Sequence, residues 1–385
     1  MLSWKNIFRS QPRLSPALTQ DLSRLKKVMA ILRVAESDLN LRRLSQLDQL
    51  RTLNRYLGNR LGSSNARERS IVATAFAEAD QMLPDSVTKD GVSIDSTATR
   101  DVRAAGCADL GRGLTDEQVK AVHSHLKGKP ILLAHDAHIT AEKVSSLSQV
   151  PAGSNYGCYE YHDLWSSPHI LEFATSGKVM DQAQQYLGCT PTLYSINAFW
   201  SLPNQQPHPY SQLFHRDWED YRSLVVFTQL TAVDVPEDGA HYYVEGSHDL
   251  NIFQDRLRDR QVSAADIEAL SSRNGPEIAS IAENLFWSTA HRFDGPAGRS
   301  FCGDGYGLHR ALVPQSRPRL LLWMRFGNFY NETMYKMPVR SSDRDLAERI
   351  SERIPKTDRH QYVFRYMIDA LSGGLATAPA SRPNA

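Results

Sequence analysis

The residues in this chain best placed to do chemistry together are His215 and Asp217, with Arg216 between them. On an extended segment, positions two apart point to the same side. An imidazole and a carboxylate so placed can close on one metal ion. A third ligand completes a two-His-one-carboxylate set, which leaves metal positions open and is the arrangement of non-haem Fe(II) oxygenases. His309 is the candidate for that third place. The pair alone is a weak signal. With 13 His and 43 acidic residues in 385, chance places roughly one or two His-x-acid pairs, so the surroundings must decide.

Four features of those surroundings support the pair. The apolar run Leu224-Val225-Val226-Phe227 follows it closely and predicts a strand rigid enough to hold ligands. Residues 234–248 read as strand, turn and strand, ending in Gly246-Ser247-His248. His309 follows a glycine-rich approach, 303–307, where the backbone can turn sharply. Arg319 then opens the apolar strand Leu320-Leu321-Leu322-Trp323-Met324. A buried guanidinium needs an anionic partner, and a carboxylate fits its planar fork. A dicarboxylate such as 2-oxoglutarate would offer one end to the metal and the other to Arg319. A salt bridge to Asp or Glu is the competing reading, and Arg317 and Arg325 share the strand parity of Arg319.

The elements that must position these groups come in two blocks. Helical spacing marks residues 18–61 and 70–82, then 115–126 behind the cap Thr115, and one long amphipathic helix over 168–187. Strands follow at 192–202, 222–233, 241–245, 299–302 and 319–329, with shorter ones at 91–94 and 131–133. Residues 249–290 read as a mostly polar insertion with one helix near 264–270. Helices first and strands afterwards favour an α+β protein, or a barrel with helical packing, over an alternating fold. The pairs His135/His138 and His123/His125 fall on poor offsets for metal binding. Trp200, Trp218, Tyr242 and Trp323 are candidates to line a pocket, although aromatic residues at strand spacing more often form core.

Hydrophobic content of 41%, charge of 23% and a net charge of +1 suit a globular chain. Nothing in that balance points to nucleic acid. The four cysteines lack paired spacing, which fits a reducing, cytoplasmic setting. No apolar run has the length of a membrane span. The basic N-terminal helices are expected to form a cap with a solvated face, docking of a homodimer mate being the other reading.

Residues 214–248 and 301–326 together resemble the phytanoyl-CoA dioxygenase family of Fe(II)- and 2-oxoglutarate-dependent oxygenases. The resemblance covers roughly 90–335. It rests on His215-x-Asp217, the Gly246-Ser247-His248 turn, Asp304 and its turn before His309, and Arg319 beyond. It implies a double-stranded β-helix, a jelly-roll or cupin-like barrel with flanking helices, holding Fe(II) on His215, Asp217 and His309. It also implies 2-oxoglutarate bound with the help of Arg319, and O2 as oxidant. The chain departs from the family after the distal histidine. Ala311 stands where a small hydroxyl residue often helps hold the co-substrate, which leaves Asn197 and Thr228 as candidates to assist Arg319. The expected organisation is a helical segment over 1–89, the oxygenase domain over 90–335, a helical segment over 336–372 and a disordered tail over 373–385. The expected function is hydroxylation of an unactivated C–H bond in a small-molecule or lipid-like substrate, with release of succinate and CO2. The rival is a non-catalytic barrel that binds a partner. Asp217 argues against a halogenase, which needs the carboxylate's place vacant.

Overall fold

The computed structural model describes residues 66–371 apart from 82, 84, 89–96, 136–137, 152–153, 155, 204–210, 274 and 330–343, together with Ser23, Leu57 and Leu61. Apart from those last three positions, the expected helix over 18–61 lies outside these residues, as do the short strand over 91–94 and the tail over 373–385.

Helices α1 (Ala66–Asp80), α2 (Asp85–Thr88) and α3 (Thr97–Ala105) precede β1 (Cys107–Arg112). Helix α4 (Asp116–Leu126) leads into β2 (Ile131–His135), β3 (His138–Val144) and β4 (Tyr156–Tyr159). Next come α5 (Tyr161–Ser166), α6 (Ile170–Ala174) and α7 (Gly177–Leu187), then β5 (Thr192–Ser201), β6 (Ser223–Gln229) and β7 (His241–Tyr243). Helices α8 (Leu250–Asp259), α9 (Ala264–Ser272) and α10 (Pro276–Phe286) fill the insertion. The chain returns to strands β8 (His291–Phe293), β9 (Arg299–Gly303), β10 (His309–Ala311) and β11 (Arg319–Gly327), and ends in α11 (Arg344–Glu352), α12 (Asp358–Val363) and α13 (Arg365–Leu371).

The strands pair antiparallel in two sheets, a large open one ordered β1-β9-β6-β11-β5-β4-β2-β3 and a small one ordered β10-β7-β8. Strand β11 is central to the large sheet: Trp323 lies opposite Asn197 of β5 on one side and Phe227 of β6 on the other. Alternation along β11 sorts its side chains between two environments. Leu320, Leu322, Met324 and Phe326 join Val226, Ile196 and Ala198 in a core shared with helices α4, α7, α11 and α13. Leu321 and Trp323 join Val225, Phe227 and Phe301 in a second cluster, which Tyr243 and Phe293 of the small sheet complete. The two sheets therefore face one another across an aromatic layer, with Phe293 stacked on Phe301 at 4.3 Å.

Local chemistry explains where the sequence reading and the structure diverge. The helix expected over 168–187 is two helices, because the backbone turns extended at Ser176 (φ −66°, ψ 145°), with the Thr175 hydroxyl also donating to the Leu171 carbonyl at 2.8 Å just before the break. Side-chain bonds of that kind compete with helical ones. Helix α7 then stops at Gly188, whose φ of +75° is the left-handed cap that glycine adopts freely. The insertion holds three helices rather than one, packed around Phe253, Leu257, Leu270, Ile278 and Phe286. Each contributes only a thin apolar stripe, so its composition reads as polar. Helix α4 begins as expected, with Thr115 and Gln118 forming a reciprocal capping box.

Candidate metal centre

The structure brings His215, Asp217 and His309 together, with one ligand atom from each lying within 4.8 Å of the others. His215 and His309 form a paired antiparallel bridge: the His215 amide donates to the His309 carbonyl at 2.9 Å and the return bond is 3.0 Å. Their rings are tilted at 4.2 Å between centroids. Each imidazole is oriented in the same way, by a contact from Nδ1 to the carbonyl two residues earlier, Leu213 at 2.9 Å for His215 and Gly307 at 2.8 Å for His309. A carbonyl only accepts, so Nδ1 carries a proton in both rings and Nε2 is the nitrogen turned to the other side. Both Nε2 atoms face Asp217, one 3.6 Å from each carboxylate oxygen. That gap is too long for a hydrogen bond and has the size a shared cation closes.

Three anchors hold the segments that carry this group. The Asp217 amide donates to Gly305 at 2.8 Å, which ties it to the turn before His309. Asp304 fixes that turn by accepting from the Tyr306 amide at 2.8 Å and the Tyr186 hydroxyl at 2.5 Å. Ser247 links the second turn to the same place, its hydroxyl accepting from the Leu308 amide at 2.7 Å. Arg216, side chain fully buried, spans all of this. It donates to the carbonyls of Ser247 at 2.7 Å, Tyr306 at 2.6 Å and Leu270 at 3.2 Å, so one guanidinium joins both turns to α9. Burial holds its pKa down, at about 10. Nothing in the His-x-Asp motif foretells this role for the intervening residue.

Electrostatics favour a charged Asp217. Burial pushes its carboxyl up, but His309 against it, with His215 and Arg325 nearby, outweighs burial and holds the group well below the usual carboxylate range. His309 shows the reciprocal balance: burial works against its cationic form, Asp217 favours it, and the result lies above the ordinary imidazole value.

The three candidate arginines differ sharply. Arg317 is exposed and bonded to Asp234 at 2.8 Å and Asp238 at 2.7 Å. Arg325 is buried with Glu219 at 3.2 Å. Arg319 is 3% exposed and has no acidic partner among the described residues. It donates to the Gly239 carbonyl and, at 3.3 Å, to the Ser201 hydroxyl, while its Nε meets no acceptor. Gly239 is held at φ +96°, and a Cβ there would sit 3.4 Å from the Arg319 side chain, so glycine suits the close approach. Burial lowers the Arg319 pKa to about 10, and Tyr156 is the one group that counters it. His241 lies between Arg319 and the triad. Its ring stacks on His309 at 5.5 Å, and burial, then the charges of His309 and Arg319, hold it well below the ordinary imidazole range.

The two proposed assistants of Arg319 do not stand beside it. Thr228 shares the parity of Val226, on the helix-covered face, where its hydroxyl bonds Ser300 at 2.7 Å. Its side chain points away from the interior, which corrects that expectation. Asn197 is on the interior face but opposite Trp323, where its amide donates to Ser195 at 2.8 Å. The residue in register with Arg319 is Ser201, itself paired with Tyr156 of β4. Of the four aromatic candidates for a pocket wall, Trp323 faces the interior. Trp200 packs against the helix-side core, Tyr242 stacks on Trp287 at 5.2 Å and Trp218 packs on Tyr306 at 5.2 Å. His123 and His125 contact the carbonyls of Leu230 and Asp163. A second group of possible ligands, Glu160, His162 and Asp163, is engaged by Lys143 and Lys129. All four cysteines are free and buried. No helix among the described residues is long and apolar enough to cross a membrane.

No family model matches the chain, and no curated protein matches it. Solved structures similar to it include the non-haem α-ketoglutarate-dependent carbocyclase SnoK from nogalamycin biosynthesis, at 15% identity over 66% of this chain and 90% of that one, with a TM-score of 0.39. EvdO2 from Micromonospora carbonacea var. aurantiaca, complexed with 2-oxoglutarate, is 17% identical over 61% of this chain and 91% of that one, with a TM-score of 0.40. HygX from Streptomyces hygroscopicus, with nickel and 2-oxoglutarate bound, is 12% identical over 61% and 87%, with a TM-score of 0.39. Likeness of this degree assigns no chemistry to the present chain.

Proposed function

We propose that this chain is an Fe(II)- and 2-oxoglutarate-dependent dioxygenase of the phytanoyl-CoA dioxygenase type, built on a double-stranded β-helix over 90–335. It hydroxylates an unactivated C–H bond of a small-molecule or lipid-like substrate. The observation that carries this reading is the pairing of two features in one interior: a His-Asp-His set whose ligand atoms lie within 4.8 Å of one another, and a buried Arg319 with no acidic partner among the described residues. The first fits a divalent cation and the second fits the far carboxylate of a keto diacid.

His215, Asp217 and His309 would hold the metal. When bound there, Fe(II) with 2-oxoglutarate and O2 supplies oxidative decarboxylation to succinate and CO2, coupled to removal of hydrogen from carbon. The protein's own part is placement. The carbonyls of Leu213 and Gly307 keep the imidazoles aimed before any ligand arrives. Arg319 binds the distal carboxylate, and Ser201 and Tyr156 are the neighbouring polar groups that can assist it. Phe227, Phe293 and Phe301 line the narrow cavity beside His309 and give it apolar walls.

The test is metal analysis after anaerobic Fe(II) loading, alongside succinate release with a metabolite panel. One iron per chain is expected in the parent protein and almost none in His215→Ala or His309→Ala, with melting temperatures preserved. Full iron occupancy in both variants refutes the triad. Iron binding without succinate under any condition favours the non-catalytic barrel.

A further inference from the structure

A second cavity, of about 380 Å³, is lined by Asp304 and Tyr306 but by none of His215, Asp217, His309 or Arg319. It lies within the range of small-molecule pockets. Three guanidinium groups border it, those of Arg69 on α1, Arg103 on α3 and Arg222 just before β6. The two carboxylates on its wall are already taken. Asp304 holds Tyr186 and the Tyr306 amide, and Asp249 caps α8 through the amides of Asn251 and Ile252.

Arg69 is the informative residue. It is 4% exposed, its Nη2 donates to the Asp220 carbonyl at 2.5 Å, and its guanidinium lies 3.6 Å over the Tyr306 ring. Its Nη1 has no acceptor among the described residues. Burial lowers its pKa, against the pull of Tyr306, Asp304 and Asp220. The nearby Asp220 carboxylate is occupied by the amides of Tyr221 and Phe329. Arg222 is half-buried and makes one long contact, at 3.4 Å, to the Leu187 carbonyl. Buried cations are kept where an anion completes them, and guanidinium forks match phosphate and carboxylate oxygens.

We infer that this cavity is a binding site for a small oxyanion, a phosphate or a carboxylate group, gripped by Arg69 and Arg222. The exposed hydroxyl-bearing Ser70, on the same turn of α1, offers a further donor. The site goes beyond the proposed oxygenase chemistry and needs no metal. It touches that chemistry structurally, because Arg69 rests on the 304–306 turn to which Asp217 is tied.

The experiment titrates inorganic phosphate and, separately, succinate into the full chain, followed by calorimetry and by melting temperature. Saturable binding of at least one probe with a raised melting temperature is expected, and the tighter probe identifies the group. Arg222→Gln and Arg69→Gln should each weaken that binding at least tenfold, while Arg319→Leu leaves it unchanged. If Arg69→Gln fails to fold, Arg222→Gln alone decides. No saturable binding of either probe, or unchanged binding in Arg222→Gln, overturns the inference. Loss of binding in Arg319→Leu also overturns it and moves the anion to the oxygenase interior, so the two sites fail separately.

Discussion

The two faces of the large sheet differ in what they ask of their residues. On the helix side, β11 presents Leu320, Leu322, Met324 and Phe326, all fully buried and apolar. On the interior side, the same strand presents Arg319, Leu321, Trp323 and Arg325, two of them cations. Apolar burial on the first face is the main source of stability. Buried charge on the second costs stability unless a counter-charge or a ligand completes it. A single strand therefore separates, residue by residue, apolar positions that hold the fold from the charged positions proposed to hold a ligand.

Substitutions can sharpen or break that division. Leu322→Ala, on the helix side, should cost about 3–5 kcal/mol of unfolding free energy, because its surroundings leave little room to collapse into the cavity. Its apparent Michaelis constant for 2-oxoglutarate should match that of the parent at temperatures well below melting. Denaturant unfolding and co-substrate titration measure the two quantities. A changed Michaelis constant would mean that the faces are not independent.

Arg319→Leu should behave in the opposite way. Loss of a charge-assisted contact to the distal carboxylate, about 1.5–3 kcal/mol, raises the apparent Michaelis constant tenfold to a hundredfold. Iron loading should survive, and the melting temperature should change little, because the lost hydrogen bonds to Gly239 and Ser201 are offset by removal of a buried cation that has no acidic partner among the described residues. A keto acid lacking the distal carboxylate should narrow the gap between variant and parent. If Arg325→Leu shows the selective defect instead, the anchor is the arginine paired with Glu219.

Thr228→Val gives the smallest effect. It breaks the hydroxyl pair with Ser300 and should cost about 1 kcal/mol of stability, with co-substrate affinity untouched. A selective loss of 2-oxoglutarate affinity would return Thr228 to the interior face.

These contrasts also show what the sequence carries. His215, Asp217 and His309 were legible because two-residue spacing and a glycine-rich turn are local signals. Arg319 was legible as one of three, and the choice among Arg317, Arg319 and Arg325 depends on Asp234, Asp238 and Glu219, all distant in sequence. Thr228 was misplaced because β6 is buried on both faces, so Leu224 to Phe227 give no alternation from which to read the inner side. Ser201, Tyr156 and His241 carry no motif. Their place beside Arg319 or His309 follows from strand register, which composition does not reveal. The short strands β1, β3, β4, β8 and β10 were missed as well, since a three-residue strand such as His309–Ala311 is defined by its partner rather than by its own residues.

The bridge between His215 and His309 also bears on how the site comes into being. The two residues lie far apart in the chain, and their mutual amide bonds close a loop that contains β6, β7, the whole insertion and β9. Such non-local closure is entropically costly and slow compared with forming helices. Helices α8 to α10 bury their own apolar cluster inside that loop, which shortens the flexible chain that remains to be closed. The cluster of His215, Asp217 and His309 does not exist in any species where this pairing is open. On the proposed reading, metal uptake during refolding would thus report the closing of the loop between His215 and His309.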